Sequence, residues 1–497
     1  MALTINITAS MLYNLVQCPR RFTLDLFGDP KQKDPVSPFV QLLWEKGNAY
    51  EEEVIKGLKI PFTNLRIQDD RERERLTVEA ISRGDELIYG GRLSAGDLLG
   101  EPDLIRKSPG GYVAGDIKSG AGRTGVTEES EGRPKEHYAV QLALYTDILE
   151  KNGFSPGRVP YVLDANGEEV PYDLDSDLRK DQTLWDAYQA ALALARDLAA
   201  KKARSTPALT AICKLCHWRS FCLRQMEKAD DLTLIPELGR SRRDALISRV
   251  RTVEDLAKMD VEGLMVGKKT AIKGIGPDTL RKFKARAILQ KTPGAKPYLK
   301  QPLNLPVSGR ELFFDIEADP MHDICYLHGF LEREGGEESY SAFLAEKPSA
   351  EEEERAFQEA WRFIRARPPC VIYYYSPYER TYWRKLRKKY PKVLSESEVE
   401  GLFDPNTSID LYKDVIRSKT EWPTRDYSVK TLAKFLGFKW RDMSPSGAES
   451  IEWYNRWTET GDPALRDRIL QYNEDDCAAM RVLLDGLREM KDTGKAG

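Results

Sequence analysis

The sequence predicts an α/β protein built from several domains, and three observations carry that prediction. A chain of 497 residues is too long for one hydrophobic core and should divide into roughly two to four domains. Each half contains strand-like stretches with acidic residues in close register, followed by a helical pattern bearing polar residues four apart. Between the halves the composition shifts to short helices rich in Lys and Arg. The resulting division is a first domain at 1–229, a basic helical segment at 230–296, a linker at 297–309 and a last domain at 310–497.

Bulk properties narrow the class. No apolar run is long enough to span a bilayer, and the start MALTINITASMLYNLVQCPRRF lacks a charged-then-apolar signal design. These features predict a soluble, cytoplasmic protein without a membrane partner. A net charge of -3 excludes a wholesale polycation, so any nucleic-acid contact must use local basic patches. The seven cysteines are odd in number and four fall in a ligand-like pattern, which argues against a secreted disulfide framework.

In the first domain, Leu87 to Lys118 reads as strand, strand, turn, strand, with SPGG (Ser108 to Gly111) as the turn. Asp116 and Lys118 are two apart on the final strand and so share a face, and Asp103 lies across the turn from them. Two carboxylates can hold a divalent cation while the lysine stabilises charge on a phosphate or orients water. The alternative is a solvated hairpin carrying ordinary surface charges.

Pro102-Asp103 with Asp116-Ile117-Lys118 resembles the PD-(D/E)XK nuclease motif, and QLALY is similar to the QxxxY motif of its RecB-type branch, with Gln141 and Tyr145 on one helical face. The resemblance implies a restriction-endonuclease-like α/β domain with Asp103, Asp116, Lys118, Gln141 and Tyr145 in the catalytic site. The branch also carries an upstream G-x-x-x-H whose histidine binds metal. Here WEKGNAYEEEV has Gly47 but Glu51 at the histidine position, and a carboxylate serves Mg²⁺ or Mn²⁺ equally well. Cys213, Cys216 and Cys222 form C-x-x-C-x5-C, with Cys18 near the start, a pattern similar to the iron–sulfur RecB-type nucleases. That likeness implies a [4Fe-4S] cluster stapling the domain ends, with a four-cysteine Zn²⁺ site as the alternative. His217 is either a substitute ligand or a surface neighbour.

The middle segment carries 15 Lys and Arg against 6 Asp and Glu between Gly239 and Lys296. It resembles a small all-α helix-hairpin-helix module. That resemblance implies that Gly274 and Gly276 let backbone N–H groups approach a phosphate, with Lys268, Lys269, Lys273, Arg281 and Lys282 adding salt-dependent attraction. A spacer with a solvated basic face is the other reading. KTPGAKPYLKQPLNLP then reads as an extended linker.

In the last domain, ELFFDIEAD places Asp315 and Glu317 two apart on a strand, and RDRILQYNEDDC places Tyr472 and Asp476 at i, i+4 on a helix. The set resembles the DEDD 3′–5′ exonucleases with a Y-x-x-x-D last motif, which implies an RNase H-like α/β fold. By that likeness Asp315, Glu317, a second-motif acid and Asp476 hold two ions, and Tyr472 orients water. The second-motif position reads Tyr378-Glu379, where the family has aspartate, so Glu379 departs by one methylene. Asp410 in SIDLYKDV is held in reserve. YSVKTLAKFLG matches the stretch between the second and third motifs, with Lys430 as a substrate contact. RTYWRKLRKKYPK is basic and aromatic enough to track a strand, or is an amphipathic helix with a solvated face. Cys325, Cys370 and Cys477 fit no ligand pattern.

The whole order resembles bacterial and archaeal RecB-like nucleases, some of which continue into a helicase. The chain stops soon after Asp476 and has no G-x-x-x-x-G-K-[ST] loop, which makes a separate helicase a candidate partner. The expected activity is a metal-dependent DNase acting on single-stranded or end-containing DNA. An RNA-directed nuclease and a non-catalytic binding scaffold are the competing readings.

Overall fold

The computed structural model describes residues 5–125, 132–443 and 446–490. Contacts divide the chain into two compact units, Met1–Pro207 with Ala211–Leu223, and Ala208–Thr210 with Arg224–Gly497. No helix among the described residues is long and apolar enough to cross a membrane.

The first unit is organised by a six-stranded mixed sheet. Its order is Glu169–Pro171, Tyr161–Leu163, Gly111–Ile117, Leu104–Ser108, Leu87–Tyr89 and Thr63–Asn64. Leu104–Ser108 and Gly111–Ile117 form the antiparallel hairpin that the SPGG turn predicts, and Gly110 takes the left-handed conformation there, φ +89°. The strands are more numerous than the sequence reading has them. Leu93–Ala95 and Leu98–Gly100 form a separate hairpin that also pairs with Ile7–Thr8. Strands this short have too little periodicity to be seen before their partners are known.

Helix Glu136–Lys151 lies in the core, with residues 138–149 all buried. Its apolar positions run right round the helix because sheet residues Ile88, Ile105 and Ala114 pack in the same core as helices Ala9–Gln17 and Leu184–Ala199. The other sheet face, with Leu87, Tyr89, Leu104, Ile117 and Tyr161, is covered by Tyr50, Val54 and Ile55 of helix Pro38–Gly57. That alternation along each strand is the period of two that puts Asp116 and Ile117 on opposite faces.

The second unit contains a five-stranded sheet in the order Glu337–Leu344, Ile324–Glu334, Arg310–Asp319, Val371–Tyr374 and Ser408–Asp410. The first three strands form an antiparallel meander, and the last two run parallel to the central one. Helices Ala350–Arg365 and Tyr378–Lys389 contribute to one core cluster around the fully buried Trp383. The 27-residue helix Pro463–Glu489 contributes to the other clusters, where Leu483, Leu484 and Leu487 are buried.

The basic segment belongs to this second unit by contacts. It holds helices Gly239–Leu246, Val253–Lys258 and Pro277–Lys291, and also a two-residue hairpin, Met265–Val266 with Lys269–Thr270, turned by Gly267 at φ +60°. That small hairpin departs from the all-helical expectation, because a glycine able to adopt the left-handed turn sits between residues with extended backbone. Arg286 is 1% exposed and bonds Glu421 (2.8 Å), Glu237 (2.9 Å) and the Pro236 carbonyl (2.9 Å). Tyr427 donates its hydroxyl to Glu421 at 2.6 Å. Tyr298–Leu299, in the stretch expected to be a linker, pairs antiparallel with Thr420–Glu421.

Candidate functional sites

In the first unit the hairpin brings the expected residues together. Asp103 Oδ2 accepts the backbone N–H of Ile117 at 2.8 Å, which ties the first acid to the strand carrying the second. Asp116 is buried and ion-paired with Lys118. Loss of solvent, then the Asp116 and Glu51 carboxylates, push Asp103 well above the usual carboxylate range. Burial works to lower Lys118, but the ion pair with Asp116 and the field of Asp103 outweigh it and hold the ammonium charged.

On the buried helix, Gln141 donates to the Tyr145 hydroxyl at 3.2 Å, and Tyr145 donates to the Glu101 carbonyl at 3.3 Å. Burial raises Tyr145, and Asp116 and Asp103 raise it further, so this pair lies in the field of the two acids. Glu51 accepts from Tyr89 at 2.9 Å and faces Arg66 at 3.5 Å. Among the described residues, Glu51, Asp103 and Asp116 do not form a group within 4.8 Å, unlike the acids of the second unit.

Cys18, Cys213, Cys216 and Cys222 form no disulfide, are half-buried and lie close enough to act on one another electrostatically. Burial pushes Cys222 up to about 12, with the other three thiols adding to it and Arg20 opposing. No three of the four lie within 4.8 Å of one another. His217 points away from a ligand role, its Nε2 lying 2.7 Å from Asp25 Oδ1.

In the second unit, ligand oxygens of Asp315, Glu317 and Asp476 all lie within 4.8 Å of one another. The first two come from strand Arg310–Asp319 and the third from helix Pro463–Glu489. Burial, then Asp476, raises Glu317 to about 8 against the opposing Lys430, Ser450 and Tyr326. Burial followed by Glu317, Asp476 and Glu379 raises Asp315 well above the carboxylate range. Hard oxygen donors crowded in this way suit a divalent cation of the Mg²⁺ or Mn²⁺ type, whose charge removes the repulsion that burial magnifies.

Several partners of this cluster were not visible in the sequence. Asn473 donates to Asp315 at 2.7 Å and accepts from the Tyr340 hydroxyl at 2.8 Å. Its side chain passes over Gly329, which pairs with Asp315 across the sheet, and a Cβ there would lie 1.6 Å from Asn473 Oδ1. Trp440 donates to Asp476 at 2.7 Å, and Tyr326 bonds Ser450 at 2.8 Å beside Glu317. The one available signal is local: a polar Asn next to Tyr472 and three residues before Asp476 on the same helix. Lys430 Nζ lies 2.5 Å from the Tyr472 hydroxyl and 3.7 Å from Asp476.

Glu379 takes a different place from the other acids. It sits in the first turn of helix Tyr378–Lys389, 2% exposed, with no hydrogen-bond partner for Oε2 among the described residues. Burial, then Asp410, raises it well above the carboxylate range. It is outside the three-acid group, although its field reaches Asp315. Asp410 Oδ1 accepts from Ser376 N at 3.0 Å and Lys413 N at 2.9 Å. Ser376 has φ +101°, a strained value for a residue with a side chain, so Asp410 holds the turn that delivers Glu379. Cys325 and Cys477 are buried and Cys370 half-buried.

In the basic segment, Gly274 is left-handed at φ +81°, and Gly276 caps helix Pro277–Lys291 with open space where a side chain would stand. Lys268, Lys269 and Lys273 are exposed and have no carboxylate partner among the described residues. Arg281 and Lys282 instead hold Glu262 and Glu237, at 2.9 and 3.1 Å, because the neighbouring turns supply acids within reach.

Each unit thus carries a set of acids on or beside its α/β sheet, Asp103 and Asp116 in the first and Asp315, Glu317 and Asp476 in the second. Residues 37–223 match the PD-(D/E)XK nuclease superfamily and residues 312–488 match the RNase H superfamily. The chain thus carries one domain that matches each superfamily. No curated protein matches the sequence significantly.

Proposed function

We propose that the protein is a metal-dependent nuclease with two centres, acting on single-stranded or end-containing DNA in repair, recombination or defence. The observation that carries this reading is the group formed by Asp315, Glu317 and Asp476, three half-buried or buried acids within 4.8 Å of one another. Proteins seldom crowd several buried acids this closely unless a cation compensates them. A divalent cation bound there would supply Lewis-acid activation of water and neutralise charge on the phosphate. Asn473 and Trp440 hold Asp315 and Asp476 in place, and Lys430 with Tyr472 presents a proton donor and a positive charge at the rim. In the first unit, Asp103, Asp116 and Glu51 are the acids offered to a cation. Lys118 is the charge that stabilises a phosphate oxyanion, and Gln141 and Tyr145 support the acids from the helix.

We read Cys18, Cys213, Cys216 and Cys222 as ligands of a [4Fe-4S] cluster. The split arrangement, one cysteine near the start and three together later, supports this cluster over a four-cysteine zinc site. Residues 1–229, 230–296 and 310–497 serve as nuclease, DNA-contacting segment and exonuclease, with 297–309 joining the last two. Lys268, Lys269, Lys273 and the Gly274–Gly276 loop contact phosphate. A separate helicase supplies unwound strands, and the setting is the cytoplasm. The position of Glu379 outside the three-acid group favours one second reading, in which the C-terminal centre binds nucleic acid without cutting it. Incubating equal-sequence DNA and RNA strands with and without Mn²⁺ tests the proposal. Mn²⁺-dependent cleavage of DNA in preference to RNA is expected, and equal or faster RNA cleavage overturns the substrate assignment.

A further inference from the structure

Beside the N-terminal centre lies a groove of about 550 Å³, walled by helix Ala9–Gln17, the first turns of helix Pro38–Gly57 and the segment around Cys216. Ser37 caps the second helix by accepting the Val40 N–H at 3.3 Å, with Pro38 in its first turn, so this wall is well defined. Three large apolar side chains of the groove face solvent. Trp44 is 55% exposed, Val36 49% and Leu215 41%. So large an exposed aromatic face is unusual, and Trp44 has no ring or cation partner among the described residues. The same groove is lined by Lys214 and Arg219, both exposed and without a carboxylate partner among the described residues.

The groove leads toward the acids. Tyr13, on its wall, packs edge-on against His137 at 4.9 Å and lies 6.2 Å from the Tyr138 ring. Tyr138 in turn carries Lys118 over its face at 5.6 Å, and Lys118 is paired with Asp116. On the helix bearing Trp44, Gly47 comes next along the same face, and a Cβ on it would meet Ser119 Oγ at 3.7 Å, one residue beyond Lys118. Glu51 follows one turn later, so Trp44, Gly47 and Glu51 form a stripe from the groove to the metal-binding acids.

We propose that this groove is a single-strand subsite in which an unpaired base stacks on Trp44 while Lys214 and Arg219 hold the flanking phosphates. It rests on the nuclease reading and adds to it the place where an unpaired strand is held before it passes Tyr13 to Asp116. An aromatic face with isolated cations accepts any base, because stacking needs no hydrogen-bond code. A duplex gives the groove no free base face, so the subsite selects frayed or single-stranded ends.

The test uses the full chain in EDTA, where nothing is cut, and a fluorescent single-stranded oligonucleotide in DNA and RNA forms. Trp44→Ala weakens binding by about 5- to 100-fold, the loss of one stacked base. Trp44→Tyr restores it to within about threefold, and binding of a blunt duplex is unchanged. Lys214→Gln and Arg219→Gln each lower the salt slope by about 0.7. An oligonucleotide carrying iodouracil crosslinks to the peptide containing Trp44. Affinity of Trp44→Ala within twofold of wild type, with crosslinks mapping elsewhere, overturns the proposal. So does a change of oligomeric state in Trp44→Ala, which would make the patch a protein interface. Because binding is read without cleavage, failure of the nuclease reading would show separately, as no Mn²⁺-dependent product from wild type.

Discussion

Replacing Glu317 by Gln should stabilise the metal-free protein and remove its stabilisation by metal, and the size of both effects follows from the site. Burial and the Asp476 carboxylate raise Glu317 from the usual 4.5 to about 8. Between those values the folded chain binds a proton that the unfolded chain has released, so stability falls as pH rises from 4.5 to 8 and is level above it. At about 1.4 kcal/mol per pH unit, the penalty at pH 7 is about 3 kcal/mol. That corresponds to roughly 6–12 °C in the melting of the C-terminal unit. The assay is thermal unfolding of metal-stripped protein between pH 5 and 8, with and without Mn²⁺. Wild type should lose stability across this window, and Mn²⁺ should restore more of it at pH 8 than at pH 5. Glu317→Gln should make the pH profile shallower, leaving the part due to Asp315 and Glu379, and should blunt the response to Mn²⁺. An unaltered pH profile in Glu317→Gln would refute the electrostatic reasoning.

Other consequences can be checked as directly. Gly329→Ala would drive a methyl group into Asn473, and should cost a few kcal/mol and reduce the C-terminal cleavage product, read by urea unfolding and by product gels. Glu421→Ala leaves Arg286 buried with only part of its charge balanced, and should destabilise the second unit by about 3–5 kcal/mol in denaturant titrations. Anaerobically purified protein should contain iron and acid-labile sulfide, and Cys216→Ser should lower both; zinc without iron would reverse the cluster assignment. Neutralising Lys268, Lys269 and Lys273 should reduce the salt slope of DNA binding by about 1 per lost phosphate contact in a duplex, with little change in cleavage at saturating DNA.

The parts of this molecule readable from sequence are those whose geometry is local. Asp315 and Glu317 are two apart on a strand, and Gln141 and Tyr145 four apart on a helix, so spacing alone puts each pair on one face. Asp103 and Asp116 meet because a four-residue turn joins their strands. What escaped the sequence depends on distant partners. Asn473 acts on Asp315 only because strand Ile324–Glu334 presents Gly329 opposite that acid, and Trp440 reaches Asp476 from a separate turn. The placement of Glu379 likewise follows from Asp410 and the strained Ser376, a hydrogen bond between residues 34 apart. Nothing in the spacing of the basic stretch sets Arg286 apart, yet it is the most buried charge of that segment.

The claim that matters most is that two separate centres cut nucleic acid, and product ladders test it. A DNA strand labelled at one end or the other, incubated with Mn²⁺, is compared across wild type, Asp116→Ala, Asp315→Ala and the double variant. Two working centres predict that each single variant loses a different ladder and that the double variant yields none. If Asp315→Ala leaves every product of the wild type in place while Asp116→Ala removes them all, the C-terminal centre does not cut, and the account of two nucleases is contradicted.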